Sequence, residues 1–283
     1  MTVMIAVPTS PPKIDPDSAP DPTDRASHYQ SNGVVLVPRV FTPSEITHIR
    51  DIFTTQVESD STFSALDRHI SPDDILARYP RFVQPHRHPE SDAGRIARGL
   101  MVDERLLGVV ENLIGPAYGA QSMFYFKPPT ARGQAMHQDN FFLQSHPETC
   151  LAAWIAIDDS DASNGGLIVI PGSHRNEVLC HEEAADPTIS FSTKTVRLPH
   201  DRTLERLQTE LRAGDVLFFH GSLVHGSLPN NGEAFRRALI FHYIPQASEE
   251  VAVFYQPLIA PSGEEVRVGV SPEGGLCGET WAA

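Results

Sequence analysis

The chain has 283 residues, of which 40% are hydrophobic and 20% charged, a balance that supports one sizeable globular core and excludes fibrous and intrinsically disordered classes. Its formal net charge of −14 argues against a nucleic-acid backbone as partner, because such binders need a basic face. No apolar run approaches the roughly 20 residues that span a bilayer, so no membrane partner is expected.

The N-terminal stretch has no basic segment, and its apolar run Val3 to Val7 is broken by Pro8, so a secretory signal is not expected. Cys150, Cys180 and Cys277 form no close pair, which points to reduced thiols in the cytoplasm. Residues 1–30 carry six prolines among small polar residues and read as a flexible leader. Residues 31–260 then read as a single domain, followed by a Gly-rich tail over 261–283.

The run GVVLVPRVF is short and β-branched. After it, Thr42 as cap, Pro43 in the first turn and Glu45 three residues past Thr42 predict a helix start, with Ile46, Ile49, Ile52, Phe53 and Val57 at helical spacing. A second helix is predicted over 103–114, ended by Gly115-Pro116. From about residue 121 the pattern changes to short strand-like runs between turn residues: SMFYFKPP, CLAAWIAIDD, GLIVIPGSH, DVLFFHGSLVHGS and RRALIFHYIP. Such spacing after a helical first third predicts a mainly β barrel or jelly roll with flanking helices.

Within this region, Met136-His137-Gln138-Asp139-Asn140 places His137 and Asp139 two apart, and residues two apart in a strand share a face. A third ligand, His225, can return on a neighbouring strand after Val216-Leu217-Phe218-Phe219. Two histidines and one carboxylate form the facial triad of iron(II) oxygenases, which leaves coordination positions open. Arg236 follows beyond a Pro229-Asn230-Asn231-Gly232 turn, where its guanidinium can grip a carboxylate bidentately.

The blocks MFYFKPP, MHQDNFF, AAWIAIDDSDASNGGLIVIPGSH, GDVLFFHGSLVHGS and FRRALIFHY resemble, in order and spacing, the phytanoyl-CoA dioxygenase family of iron(II)- and 2-oxoglutarate-dependent oxygenases. The resemblance covers roughly residues 30–250 and implies a double-stranded β-helix core. It implies iron ligation by His137, Asp139 and His225. It also implies 2-oxoglutarate contacts from Met123, Gln138, Trp154, Ser227 and Arg236, with Arg236 anchoring the distal carboxylate. An upstream lysine of the family has no clear counterpart, and Arg87 lies in about its place. The reaction implied is hydroxylation of an unactivated C–H bond of a small-molecule metabolite, with dioxygen consumed and succinate and carbon dioxide released. Halogenating relatives lack the carboxylate ligand; Asp139 keeps it.

The other residues in these blocks have simpler readings. Met123 and Trp154 also fit core packing, Ser227 a turn serine, and His220 and His242 satisfied strand histidines. The substrate classes left open are a natural-product intermediate, an aminoalkylphosphonate and an acyl thioester, the last disfavoured because no lysine and arginine cluster awaits its phosphates. Two other function classes also stay open: a cupin-type hydrolase or isomerase, which would not need Arg236, and a binding barrel without catalysis.

Overall fold

In the computed structural model, residues 13–59, 71, 73–147, 149–175, 178–183, 185–196, 198 and 205–272 are described. Their frame is an eight-stranded sheet facing a five-stranded sheet, the jelly roll anticipated from the strand spacing and the double-stranded β-helix implied by the family resemblance. In the larger sheet the central order is Ala117–Tyr125, Ala238–Pro245, Leu151–Ala156, Val216–His220 and Val34–Val37, all antiparallel. In the smaller sheet Leu167–Val169, His225–Ser227 and Gln134–His137 lie side by side.

The larger sheet is apolar on both faces, which is why its strands read as continuous hydrophobic runs rather than alternating ones. Leu151, Ala153 and Ile155 face one core with Val216, Phe218, Leu239 and Phe241. Helices Pro43–Ser59, Asp92–Met101 and Glu104–Ile114 close that core with Ile46, Phe53, Ala97, Met101 and Leu106. Phe53 stacks on Phe124 with ring centroids 4.1 Å apart, and truncating such a side chain to alanine costs about 3–5 kcal/mol. Ala152, Trp154 and Ala156 alternate onto the opposite face, toward Leu167 and Val169 of the smaller sheet. The interior between the sheets is where the site lies.

The predicted helix start is present: the Thr42 amide donates to the Glu45 carboxylate at 2.8 Å and the Glu45 amide donates to Thr42 Oγ1 at 3.3 Å. The second predicted helix runs Glu104–Ile114, and Gly115 ends it with φ at 77°, a value that favours glycine. The leader differs from expectation. Lys13–Ile14 pairs with Leu207–Thr209 and Arg25–Asn32 is helical with Tyr29 buried, so order begins well before residue 31; residues 1–12 lie outside the described residues. Of the expected tail, residues 261–272 form turns and two short strands, and residues 273–283 lie outside the described residues. Cys150 is a free buried thiol, but Cys180 is disulfide-bonded, against the expectation of three reduced thiols; Cys277 lies outside the described residues. Among the described residues no helix is long and apolar enough to cross a membrane.

Candidate metal and cosubstrate centre

His137 ends one strand of the smaller sheet, and His225 begins the next, in direct cross-strand register with it. Gly226 lets the strands approach: a Cβ there would stand 2.8 Å from Met136 Sδ and 2.9 Å from the Gln134 carbonyl oxygen. Asp139 arrives differently from the strand alternation expected of the HxD spacing. The strand stops at His137, and Asp139 adopts helical backbone angles ahead of the one-turn helix Asn140–Leu143, which swings its carboxylate to the two imidazoles.

The three side chains are buried, and one ligand atom of each lies within 4.8 Å of the others. Asp139 Oδ1 is 3.6 Å from His137 Nε2 and 3.7 Å from His225 Nε2. His137 Nδ1 donates to the Ala135 carbonyl at 2.9 Å and His225 Nδ1 to the Leu223 carbonyl at 3.0 Å. A carbonyl only accepts, so each Nδ1 carries the hydrogen and each Nε2 turns its lone pair to the centre, the tautomer a metal needs. Asp139 Oδ2 accepts from His242 Nε2 at 3.1 Å. Burial alone would raise the Asp139 carboxyl, but the neighbouring His225 and His242 imidazoles and the bond from His242 outweigh it and hold it well below the usual carboxylate range. Burial pushes His225 down to about 4. An ionised carboxylate with neutral imidazoles on one side of a cavity fits a divalent metal, and the two-nitrogen, one-oxygen set fits iron(II).

The cavity above the triad spans about 730 Å³, counting its mouth open to solvent. Met123, Trp154, Ser227 and Arg236, all singled out from sequence, line it. Arg236 is buried, with its guanidinium 5.4 Å from the Trp154 ring; one nitrogen donates to the Gly165 carbonyl at 3.0 Å and Nε has no partner. Burial pushes this guanidinium down to about 10. Lys127 lies beside it, buried, donating to the Gly165 carbonyl and to Ser227 Oγ, each at 3.0 Å; burial, then the Arg236 charge, holds its ammonium well below the ordinary lysine value. Neither cation has a carboxylate partner among the described residues, so the pair presents uncompensated positive charge to the cavity.

Two sequence readings are corrected. Gln138 does not line the cavity: its Nε2 donates to the Ser222 carbonyl and its Oε1 accepts from the Leu179 amide, both at 2.7 Å, so its amide ties two loops together. Arg87 is not in the cavity either, since its guanidinium donates to the Phe254 and Gln256 carbonyls at 3.2 and 3.0 Å. The cation that joins Arg236 is Lys127, in the MFYFKPP block; a lysine in an apolar run was the available signal. His242, read as a satisfied strand histidine, is satisfied by the triad's own carboxylate.

Residues 29–238 match the phytanoyl-CoA dioxygenase (PhyH) family. The chain is 35% identical over 125 residues to a phytanoyl-CoA dioxygenase of Arabidopsis thaliana, covering 44% of this chain and 43% of that protein. It thus spans less than half the length of that plant relative. It is 29% identical to the peroxisomal phytanoyl-CoA dioxygenase of Bos taurus, over 78% of this chain and 67% of the relative. Among solved structures it is similar to the epimerase SnoN in complex with Fe3+, alpha ketoglutarate and nogalamycin RO, with a TM-score of 0.64 and 21% identity over 89% of this chain and 95% of that one. It is also similar to EctD from S. alaskensis with 2-oxoglutarate and 5-hydroxyectoine, with a TM-score of 0.61 and 19% identity over 84% of each chain. At these identities the structural likeness concerns the fold.

Proposed function

The chain belongs to the phytanoyl-CoA dioxygenase family, and from that premise we propose that it is an iron(II)- and 2-oxoglutarate-dependent dioxygenase that hydroxylates a C–H bond of a small-molecule metabolite. One observation carries this reading: a facial triad and two buried cations without carboxylate partners open into the same cavity. A hydrolase would have a use for the triad but none for Arg236 and Lys127.

His137 Nε2, Asp139 Oδ1 and His225 Nε2 hold the metal. Iron(II) and 2-oxoglutarate together supply the activation of dioxygen, with succinate and carbon dioxide as co-products. Arg236 holds the distal carboxylate of the dicarboxylate through the guanidinium edge that includes its free Nε, and Lys127 adds a second charge beside it. Ser227 Oγ, already accepting from Lys127, completes that end, and Trp154 walls it from water. His242 keeps the second oxygen of Asp139 engaged, which would leave one carboxylate oxygen to hold the metal. An acyl-CoA substrate is disfavoured, because the two other cations lining the cavity are engaged: Arg132 pairs with Asp74 at 2.5 Å, and Arg81 stacks on Phe191 and Tyr125.

The test is anaerobic reconstitution with iron(II) and 2-oxoglutarate. A metal-to-ligand charge-transfer band is expected in the wild type, absent in His225→Ala and weakened in Arg236→Ala. A folded, iron-loaded wild type with no band overturns the proposal.

A further inference from the structure

The cavity has two ends of unlike lining, and both reach the triad. Lys127, Arg236 and Ser227 make one end. The other is an adjoining chamber, about 620 Å³ including its open mouth, that shares Met123, His137, Asp139 and His242 with the first. Its wall is built by the strand Ala117–Tyr125, in which alternate residues Gln121 and Met123 share the inner face. Gln121 sits directly across from His242, the residue bonded to Asp139.

Gln121 is 5% exposed, and among the described residues neither its amide nor the Tyr255 hydroxyl makes a hydrogen bond. Both line the chamber. Burial, with the Asp139 carboxylate nearby, pushes the Tyr255 phenol up, so it remains a neutral donor. The polar ends of Gln121 and Tyr255 are accessible in the chamber and unbonded to protein, so a ligand seated beside the reactive centre can engage both. Besides the triad's Asp139, the one charged lining residue is Arg81, whose guanidinium is engaged by Phe191 and Tyr125, 4.8 and 5.5 Å from the ring centroids, and donates to the Tyr125 hydroxyl at 3.3 Å. The rest of the lining includes Leu143 and Phe142, the latter 42% exposed and so an apolar lip.

We infer that this chamber takes the oxidisable substrate by an uncharged hydrogen-bonding group, a carboxamide, hydroxyl or ketone, held between Gln121 and Tyr255 with an apolar body against Met123, Leu143 and Phe142. An ionised acid would find no cation in the chamber except the ring-stacked Arg81, and an ammonium would find no carboxylate outside the metal centre. The inference rests on the iron and 2-oxoglutarate reading above.

The experiment uses three probes with one apolar body: phenylacetamide, phenylacetate and phenethylamine, each measured by equilibrium dialysis against full-length enzyme loaded anaerobically with iron(II) and 2-oxoglutarate. The amide is expected to be retained about tenfold more tightly than either ion. Gln121→Met and Tyr255→Phe abolish that preference, and Gln121→Glu shifts it to phenethylamine. The charge-transfer band is recorded in each sample to show an intact centre. A wild type without the band overturns the cofactor reading. A wild type with the band that retains phenylacetate as well as the amide, or retains none of the probes, overturns this inference alone, as does an unchanged preference in Gln121→Glu.

Discussion

His242 Nε2 stands 3.1 Å from Asp139 Oδ2, while the other oxygen of the same carboxylate faces His137 and His225. One carboxylate is thus shared between a metal-facing side and a histidine that orients it. His242→Leu is expected to lower iron(II) affinity by about 10- to 100-fold, the usual effect of removing a ligand's hydrogen-bond partner, with His242→Asn restoring part of it. Anaerobic iron titration measures this; a Leu variant that binds iron like the wild type would remove the orienting role.

Arg236→Gln should raise the 2-oxoglutarate concentration needed for half-maximal band intensity by roughly 30-fold or more, since truncating one partner of a buried charge pair costs about 2–5 kcal/mol. Lys127→Met should weaken binding less, because Lys127 already donates to the Gly165 carbonyl and Ser227. The two losses will not add, as both cations face one cosubstrate carboxylate. Titration of the single and double variants checks both points.

Two glycines make opposite predictions. A Cβ on Gly133 would stand 2.0 Å from the Ser227 carbonyl oxygen, so Gly133→Ala must push apart the strand that carries His225 and Ser227. Lower thermal stability and weaker 2-oxoglutarate binding are expected together. Gly99, inside the helix Asp92–Met101, has open space at that position, and Gly99→Ala should stabilise by about 0.5–1 kcal/mol. Melting curves of the two variants decide the matter.

His86 and His220 are both pushed down to about 3, chiefly by burial. The unfolded chain takes up these protons near pH 6.5 while the folded chain refuses them. Their contribution to stability is therefore complete above about pH 6.5 and is lost as pH falls toward 3. Urea midpoints should fall between pH 7 and pH 5, and His86→Gln, which keeps a polar group near Ser122 Oγ, should flatten the slope. An equal slope in wild type and variant would contradict this.

The triad, Arg236 and the jelly-roll class were legible because they depend on rare side chains and on strand-length apolar runs. Asp139 was found for the wrong local reason, since its approach comes from a helical turn that spacing alone does not disclose. Lys127, Gln121 and Tyr255 were passed over, and His242 was read only as a satisfied strand histidine, because each sits in an apolar run, where only register and facing show what a polar side chain meets. Gln138 misled for the complementary reason: it adjoins two ligands in sequence, yet its amide is consumed by the Ser222 carbonyl and the Leu179 amide.

The two-faced larger sheet also divides how the protein can vary. Along Leu151–Ala156, one set of alternate positions meets the helices and the other meets the cavity side. Change at Ala153 or Ile155 is therefore a matter of how well the molecule holds together, and change at Ala152 or Trp154 a matter of what it accommodates. A lineage exploring new substrates could redraw one set and leave the other still. Insertion or loss of a single residue in that strand would exchange the two roles at once, so this segment should tolerate substitution far better than a change of length.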